Sequence, residues 1–269
     1  MNSSFHKNRR IVLWVYSIAV LVFLMAPILA IMPLSFNSEP FFTYPMPGFS
    51  LRWYEEFFNS ANWRLAVVNS IIVAVAATIL ATVLGTLAAL GLSRPDCPFR
   101  RTLTAFLISP IIIPIVVAAL GIFYFYSSVG LASSLTGLII AHAALGAPFV
   151  VVTVLATLAG FDTRVMRAAA SLGAPPVTAF RLVMLPLIAP GVAAGAIFAF
   201  VTSFDEVVVA LFLAGSEQRT LPRQMWSGLR EQISPTITAV STLLILLAAA
   251  LMTVSNALQA RSEKNRSTH

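Results

Sequence analysis

Gly160-Phe161-Asp162-Thr163-Arg164-Val165-Met166-Arg167-Ala168-Ala169-Ala170-Ser171-Leu172-Gly173-Ala174, running on to Leu185-Pro186, is a polar, Ala-rich stretch lodged between long apolar runs. Its setting decides the fold. Four apolar windows precede it, at about 11–36, 66–92, 102–126 and 135–159, and two follow, at about 188–213 and 237–259. A hydrocarbon core about 30 Å thick takes roughly 20 apolar residues per helix, and each window is long enough. None alternates polar and apolar residues with period two, so the strands of a membrane barrel are disfavoured. The pattern predicts an all-α polytopic membrane protein with six transmembrane helices. It forms a single transmembrane domain over 1–269, interrupted by an insert at 160–187. A long helical insert on one side of a bilayer is useful only if something there binds it.

Composition agrees. Of 269 residues, 58% are hydrophobic and 10% charged, against about 25% charged in ordinary soluble domains. Placing the N-terminus in the cytoplasm puts Lys7, Arg9, Arg10, Arg94, Arg100, Arg101, Arg164, Arg167, Arg181, Arg261, Lys264 and Arg266 inside. Only Arg52, Arg64, Arg219, Arg223 and Arg230 fall outside. That asymmetry predicts that both termini are cytoplasmic. It also accounts for the +7 net charge, so no nucleic-acid partner is needed. The first apolar run is too long for a signal-peptide core and reads as a retained helix.

Several chemistries lack their residues. The two lysines, Lys7 and Lys264, lie in the tails, and no Gly-rich turn ends in Lys-Ser/Thr to cradle phosphates. Three histidines (His6, His142, His269) and one cysteine (Cys97) supply no metal-ligand spacing. Cys97 reads as a loop thiol, and no disulfide framework is possible.

The connecting segments carry their own signals. Leu51-Arg52-Trp53-Tyr54-Glu55-Glu56-Phe57-Phe58 spaces its aromatics helically and reads as a short interfacial helix, with a docking ledge for an external protein as the alternative. Pro110 and Pro114 predict a bend in the third helix. His142, in the fourth window, reads as satisfied by a neighbouring helix. After Pro222, Met225, Trp226 and Leu229 suit one face of two helical turns, either interfacial or part of an outer gate.

Within the insert, Arg167-Ala168-Ala169-Ala170-Ser171-Leu172-Gly173 is followed after nine residues by Val183-Met184-Leu185-Pro186. This resembles the EAA motif of permease subunits in ATP-binding-cassette importers: Glu-Ala-Ala, three residues, Gly, nine residues, an apolar residue, any residue, Leu-Pro. The resemblance implies two short helices that seat in a cleft of the ATPase. Arg164, Arg167, Ala168, Ala169, Gly173, Leu185 and Pro186 would then form the coupling surface. Small alanines permit close approach, Gly173 permits a turn that a side chain would block, and Pro186 and Pro190 suit the restart of helix five. Arg167 departs from the family, reversing the charge of its glutamate.

Leu51-Arg52-Trp53-Tyr54, Thr202-Ser203-Phe204-Asp205-Glu206-Val207-Val208-Val209 and Thr220-Leu221-Pro222 are similar to the second permease subunit of spermidine/putrescine-type importers. That implies the type I importer fold (MetI-like) in a bacterial inner membrane, in contact with lipid. It also implies a companion permease in a heterodimer, two ATPase subunits and an extracytoplasmic solute-binding protein. ATP and Mg would be bound by the ATPase, with no cofactor in this chain, which would itself be no enzyme.

Asp205 and Glu206 are the acidic residues inside an apolar window. Each costs about 2.5–3.5 kcal/mol at a helix centre on insertion scales, so lipid exposure is disfavoured. At about 100° per residue they share a side with Gly191, Gly195, Phe198, Ala199, Thr202 and Val209, a small and polar face suited to a neighbour. Thr202, Ser203, Asp205 and Glu206 are therefore candidate pathway residues for a small polar, cationic solute of polyamine type. The alternative is a gate or interface lock in which the carboxylates pair with Arg219, Arg223 or a basic group of the partner subunit. A proton-coupled secondary transporter using Asp205, Glu206 and His142 as a relay is the rival function. Opines, amino-acid derivatives and phosphonates stay open as solutes.

Overall fold

The computed structural model describes residues 2–231 and 234–266. In chain order its helices are α1 (Asn2–Leu34), α2 (Arg52–Asn59), α3 (Ala61–Leu92), α4 (Arg100–Ile112), α5 (Ile115–Val129) and α6 (Leu135–Ala159). The chain continues with α7 (Arg164–Ser171), α8 (Pro176–Ala179), α9 (Leu185–Asp205), α10 (Val208–Leu213), α11 (Leu221–Glu231) and α12 (Thr236–Arg266). A π-helical turn at Phe180–Met184 joins α8 to α9. Among the described residues, four stretches are helical, long and apolar enough to cross a membrane: Arg10–Leu34, Ala61–Leu92, Leu135–Ala159 and Pro176–Asp205. The pair α4 and α5 makes a fifth if counted together, and α12 opens on the shorter apolar helix Thr236–Ala250.

Two windows differ from expectation. The third, expected as one bent helix over 102–126, is two helices inclined at 103°. Ile113 is extended (φ −69, ψ 131) and Pro114 caps α5, because a residue before proline is pushed out of the α region. Pro110, by contrast, is absorbed inside α4. The fifth window, expected from 188, begins at Pro176, a proline in the first helical turn where no N–H is required. It then stops at Asp205 rather than continuing to 213. The π turn sits just before Pro186. That proline cannot donate to Leu182 and its ring crowds that carbonyl, so the ladder widens and Leu185 N–H bonds Phe180 O instead.

Residues 62–226 pack as one unit. Its centre is the contact of α6 with α9, made possible by small residues. A Cβ on Gly195 would stand 2.8 Å from the Val150 Cα, and one on Gly146 would stand 3.0 Å from the Ala199 Cβ. Helix backbones can approach this closely only where side chains are missing, which is how membrane helices gain packing without a hydrophobic drive. A core of Ala77, Ala81, Val150, Val154, Ile188 and Ala199 joins α3 to this pair. A second core, with Ala119, Tyr126, Leu138, Leu145, Val209 and Leu213, joins α5, α6 and α10. On α3, Asn69 Nδ2 donates to the Glu217 and Arg219 carbonyls at 2.8 and 3.0 Å, and Ser70 Oγ accepts from Leu221 N–H at 2.6 Å. Those bonds fix the entry to α11.

Residues 1–61 with 227–269 form the other unit. Here α2 turns part of its aromatic face into the protein, while Leu51 and Phe58 stay exposed. Trp53 is buried and donates from Nε1 to the Asn37 carbonyl at 2.7 Å, and the Tyr54 hydroxyl meets Ser35 Oγ at 2.7 Å. Arg52 lies 4.0 Å over the Trp53 ring. The aromatics close the loop after α1, and their polar tips meet protein.

Candidate functional site: an exposed insert and a broken helix

The insert is built by local rules. Asp162 Oδ1 accepts from Arg164 N–H at 2.9 Å, satisfying a donor at the start of α7. At the other end, Gly173 N–H bonds Ala170 O and Ala174 N–H bonds Ala169 O. With Gly173 at φ +79, this is the Schellman ending, whose penultimate residue sits in the left-handed region. Nothing lies within 4 Å of where a Gly173 Cβ would stand. The turn that a side chain would disfavour is thus present, and the positive φ is its cause. The glycine is required by its backbone angle, and the space beside it is open.

The surface so formed is uncovered. Arg164, Arg167, Ala168, Gly173, Leu185 and Pro186 are exposed and Ala169 is half-buried. Leu172 is 89% exposed, Leu182 72% and Val177 68%. Apolar side chains thus stand uncovered with arginines among them.

The second candidate lies where α9 stops. The face of α9 against α6 is Ile188, Gly191, Gly195, Ala199 and Ser203, all buried. Asp205 and Glu206 do not continue that face, as the helical wheel had them do. Asp205 is exposed and ends the helix, whereas Glu206 is half-buried and extended (φ −71, ψ 116). Thr202 is half-buried beside them. The break turns Glu206 back on the chain, and its Oε1 accepts from Val209 N–H at 2.8 Å, capping α10.

Among the described residues of this chain, neither Arg219 nor Arg223 pairs with Asp205 or Glu206. Arg219 Nη1 instead bonds Gln224 Oε1 at 3.4 Å, and Arg223 Nη1 bonds the Gly215 carbonyl. Burial, and after it the Arg219 charge, lower Arg223 from its ordinary pKa. The Asp205 carboxylate makes no hydrogen bond or ion pair with another described residue.

His142, buried on α6, is met by helix five: Nδ1 lies 2.9 Å from Ser203 Oγ and 3.1 Å from the Ser203 carbonyl. No hydrogen bond among the described residues joins His142 to either carboxylate, so a proton relay is not assembled. Sequence reasoning missed Asn69 and Ser70. Their only signal is a polar pair at the start of an otherwise apolar span.

Membrane-length helices, packed through small residues and presenting an exposed capped insert, define a membrane permease rather than an enzyme. Residues 81–268 match the family described as binding-protein-dependent transport system inner membrane component, and the chain belongs to that family. It is 32% identical over 240 residues to the spermidine/putrescine transport system permease protein PotC of Haemophilus influenzae, covering 89% of this chain and 93% of the relative. It is 32% identical over 251 residues to the putrescine transport system permease protein PotI of Escherichia coli, covering 91% and 89%. The molybdenum transport system permease protein ModB of Mycobacterium bovis is 30% identical over 260 residues, covering 89% and 91%. Among solved structures, a bacterial ABC transporter involved in the import of the acidic polysaccharide alginate shares the fold, with TM-score 0.74, 16% identity, and coverage of 96% and 98%.

The chain is thus a permease subunit of an ABC importer, an inner-membrane protein whose ATP hydrolysis takes place in a separate subunit. Subunits of this class work with a companion permease, an ATPase and a binding protein. The secondary-transport alternative finds no support.

Proposed function

We propose that the chain forms half of the translocation pathway of an importer for small cationic solutes of polyamine type. The Arg164–Pro186 insert seats on the ATPase, with Arg164, Arg167, Ala168, Ala169, Gly173, Leu185 and Pro186 as its coupling residues. Both termini face the cytoplasm, the companion permease is a different chain, two ATPase subunits bind the ATP and Mg, and an extracytoplasmic protein delivers the solute. The observation that carries this reading is the insert: a Schellman-closed helix followed by a second short helix and a π turn, with the Leu172, Val177 and Leu182 side chains uncovered.

For the solute, support comes from the names of the PotC and PotI relatives and from Asp205, an exposed carboxylate at the helix break. Thr202 and Asp205 line the path in this reading, Ser203 is turned into the contact with α6 instead, and Glu206 supports the path as a cap. The molybdenum relative favours a second reading, an oxyanion solute. Uptake in vesicles carrying the complete complex separates the two. ATP-dependent accumulation of labelled spermidine or putrescine, undisturbed by excess molybdate, supports the first. Accumulation of molybdate with none of either polyamine contradicts it.

A further inference from the structure

We propose that His142 is a positioning residue that holds helix five open at its break, and so sets where Asp205 stands in the pathway. The inference rests on the pathway reading above.

Breaking a helix inside a membrane leaves backbone groups without partners, and hydrocarbon offers none. With α9 ending at Asp205, Ser203 lies in its last turn, where carbonyls lack an intrahelical donor. His142 Nδ1 reaches that carbonyl at 3.1 Å from a side chain that is 1% exposed. A carbonyl oxygen only accepts, so serving it requires the tautomer with the proton on Nδ1, and Ser203 Oγ at 2.9 Å then shares that proton.

The other side of the break has its own partner, since Glu206 Oε1 takes the Val209 N–H. One side chain from α6 thus serves the carbonyl end, and one from the break itself serves the amide end. Spacing along the two helices explains why His142 is available. Gly146 lies one turn from His142 and admits Ala199, one turn from Ser203, to a distance at which a Cβ on Gly146 would be 3.0 Å from the Ala199 Cβ. The same close approach brings Ser203 onto the imidazole. Nε2, buried, has no partner among the described residues, so the work falls on Nδ1.

That asymmetry makes the proposal testable. An asparagine places its amide nitrogen where Nδ1 stands, whereas a glutamine places its own near Nε2. The complete complex, reconstituted with companion permease, ATPase and binding protein, is compared for wild type, His142→Asn, His142→Gln, His142→Leu and Ser203→Ala. Assembly, basal ATP hydrolysis and solute carried per ATP are measured. His142→Asn and Ser203→Ala should stay near wild type. His142→Gln and His142→Leu should carry roughly tenfold less solute per ATP, with assembly and basal hydrolysis kept, as expected for an orphaned buried acceptor.

His142→Asn failing as badly as His142→Leu would overturn the proposal. So would a parallel loss of assembly and hydrolysis in both weak variants, which marks plain packing. Ser203→Ala matching His142→Leu would also overturn it, because the hydroxyl rather than the carbonyl would then be what the histidine serves. An Asp205→Asn complex run alongside tests the pathway reading separately: normal uptake there sinks that reading and leaves the ratio of solute to ATP in the histidine series to be judged on its own.

Discussion

Gly173 shows how one backbone angle can carry a contact surface. At φ +79 an alanine pays about 1–2 kcal/mol for the left-handed conformation, whereas asparagine visits that region with less strain. Gly173→Ala should therefore weaken ATPase binding up to about tenfold, with Gly173→Asn closer to wild type, as read by titrating ATPase against the reconstituted permease. Equal effects would mean that the glycine serves space rather than angle. The need for glycine was legible in the spacing from Ala168-Ala169 to Gly173. The open space beside it was not, because whether a Cβ meets anything is a three-dimensional fact. His142 teaches the same lesson from the other side. The sequence marks a lone buried imidazole that needs a neighbour, but Ser203 lies 61 positions away and nothing local points to it. Arg167, the charge reversal, is exposed and pairs with no described carboxylate, which fits a side chain waiting for a partner on another chain.

At the scale of elements, helix five joins both candidate sites. It runs from Pro176, in the insert, to Asp205, at the break. The helical wheel placed Asp205 and Glu206 together on the small-residue face because a wheel assumes an unbroken helix. The break separates them, leaving Asp205 exposed and Glu206 committed to Val209 N–H. Their neutral replacements should therefore differ. Glu206→Gln keeps an acceptor oxygen for the cap and should change uptake less than about threefold, while Asp205→Asn removes the free charge and should lower uptake of a cationic solute several-fold, by raising KM. Kinetics of polyamine uptake on the two single variants measure this, and equal effects would contradict the division of roles. The bend in the third window was legible from Pro110 and Pro114, but its size was not. Pro110 is accommodated within α4, whereas Ile113 before Pro114 turns extended and lets α5 pack on α10. That choice depends on a partner far along the chain.

At the scale of the whole molecule, the membrane class was legible because apolar windows of spanning length occur in few other settings, and the family followed from the Ala-Ala to Gly to Leu-Pro spacing. Closeness of packing was partly legible in Gly191-xxx-Gly195-xxx-Ala199, since only small residues let helices meet at these distances. The loop anchors Asn69 and Ser70 were not, since their partners are backbone atoms that any residue supplies. The function of this permease turns above all on whether the ATPase grips it at the exposed insert. A single cysteine placed at Leu172, the most exposed apolar residue of the insert, tests it in the complete complex once Cys97, the native cysteine, is changed to serine. Leu172→Cys, Cys97→Ser complexes active in uptake should form a short-range crosslink to the ATPase, at a yield that changes when ATP is added. Crosslinking to no ATPase subunit, in complexes that transport normally, is the result that contradicts it.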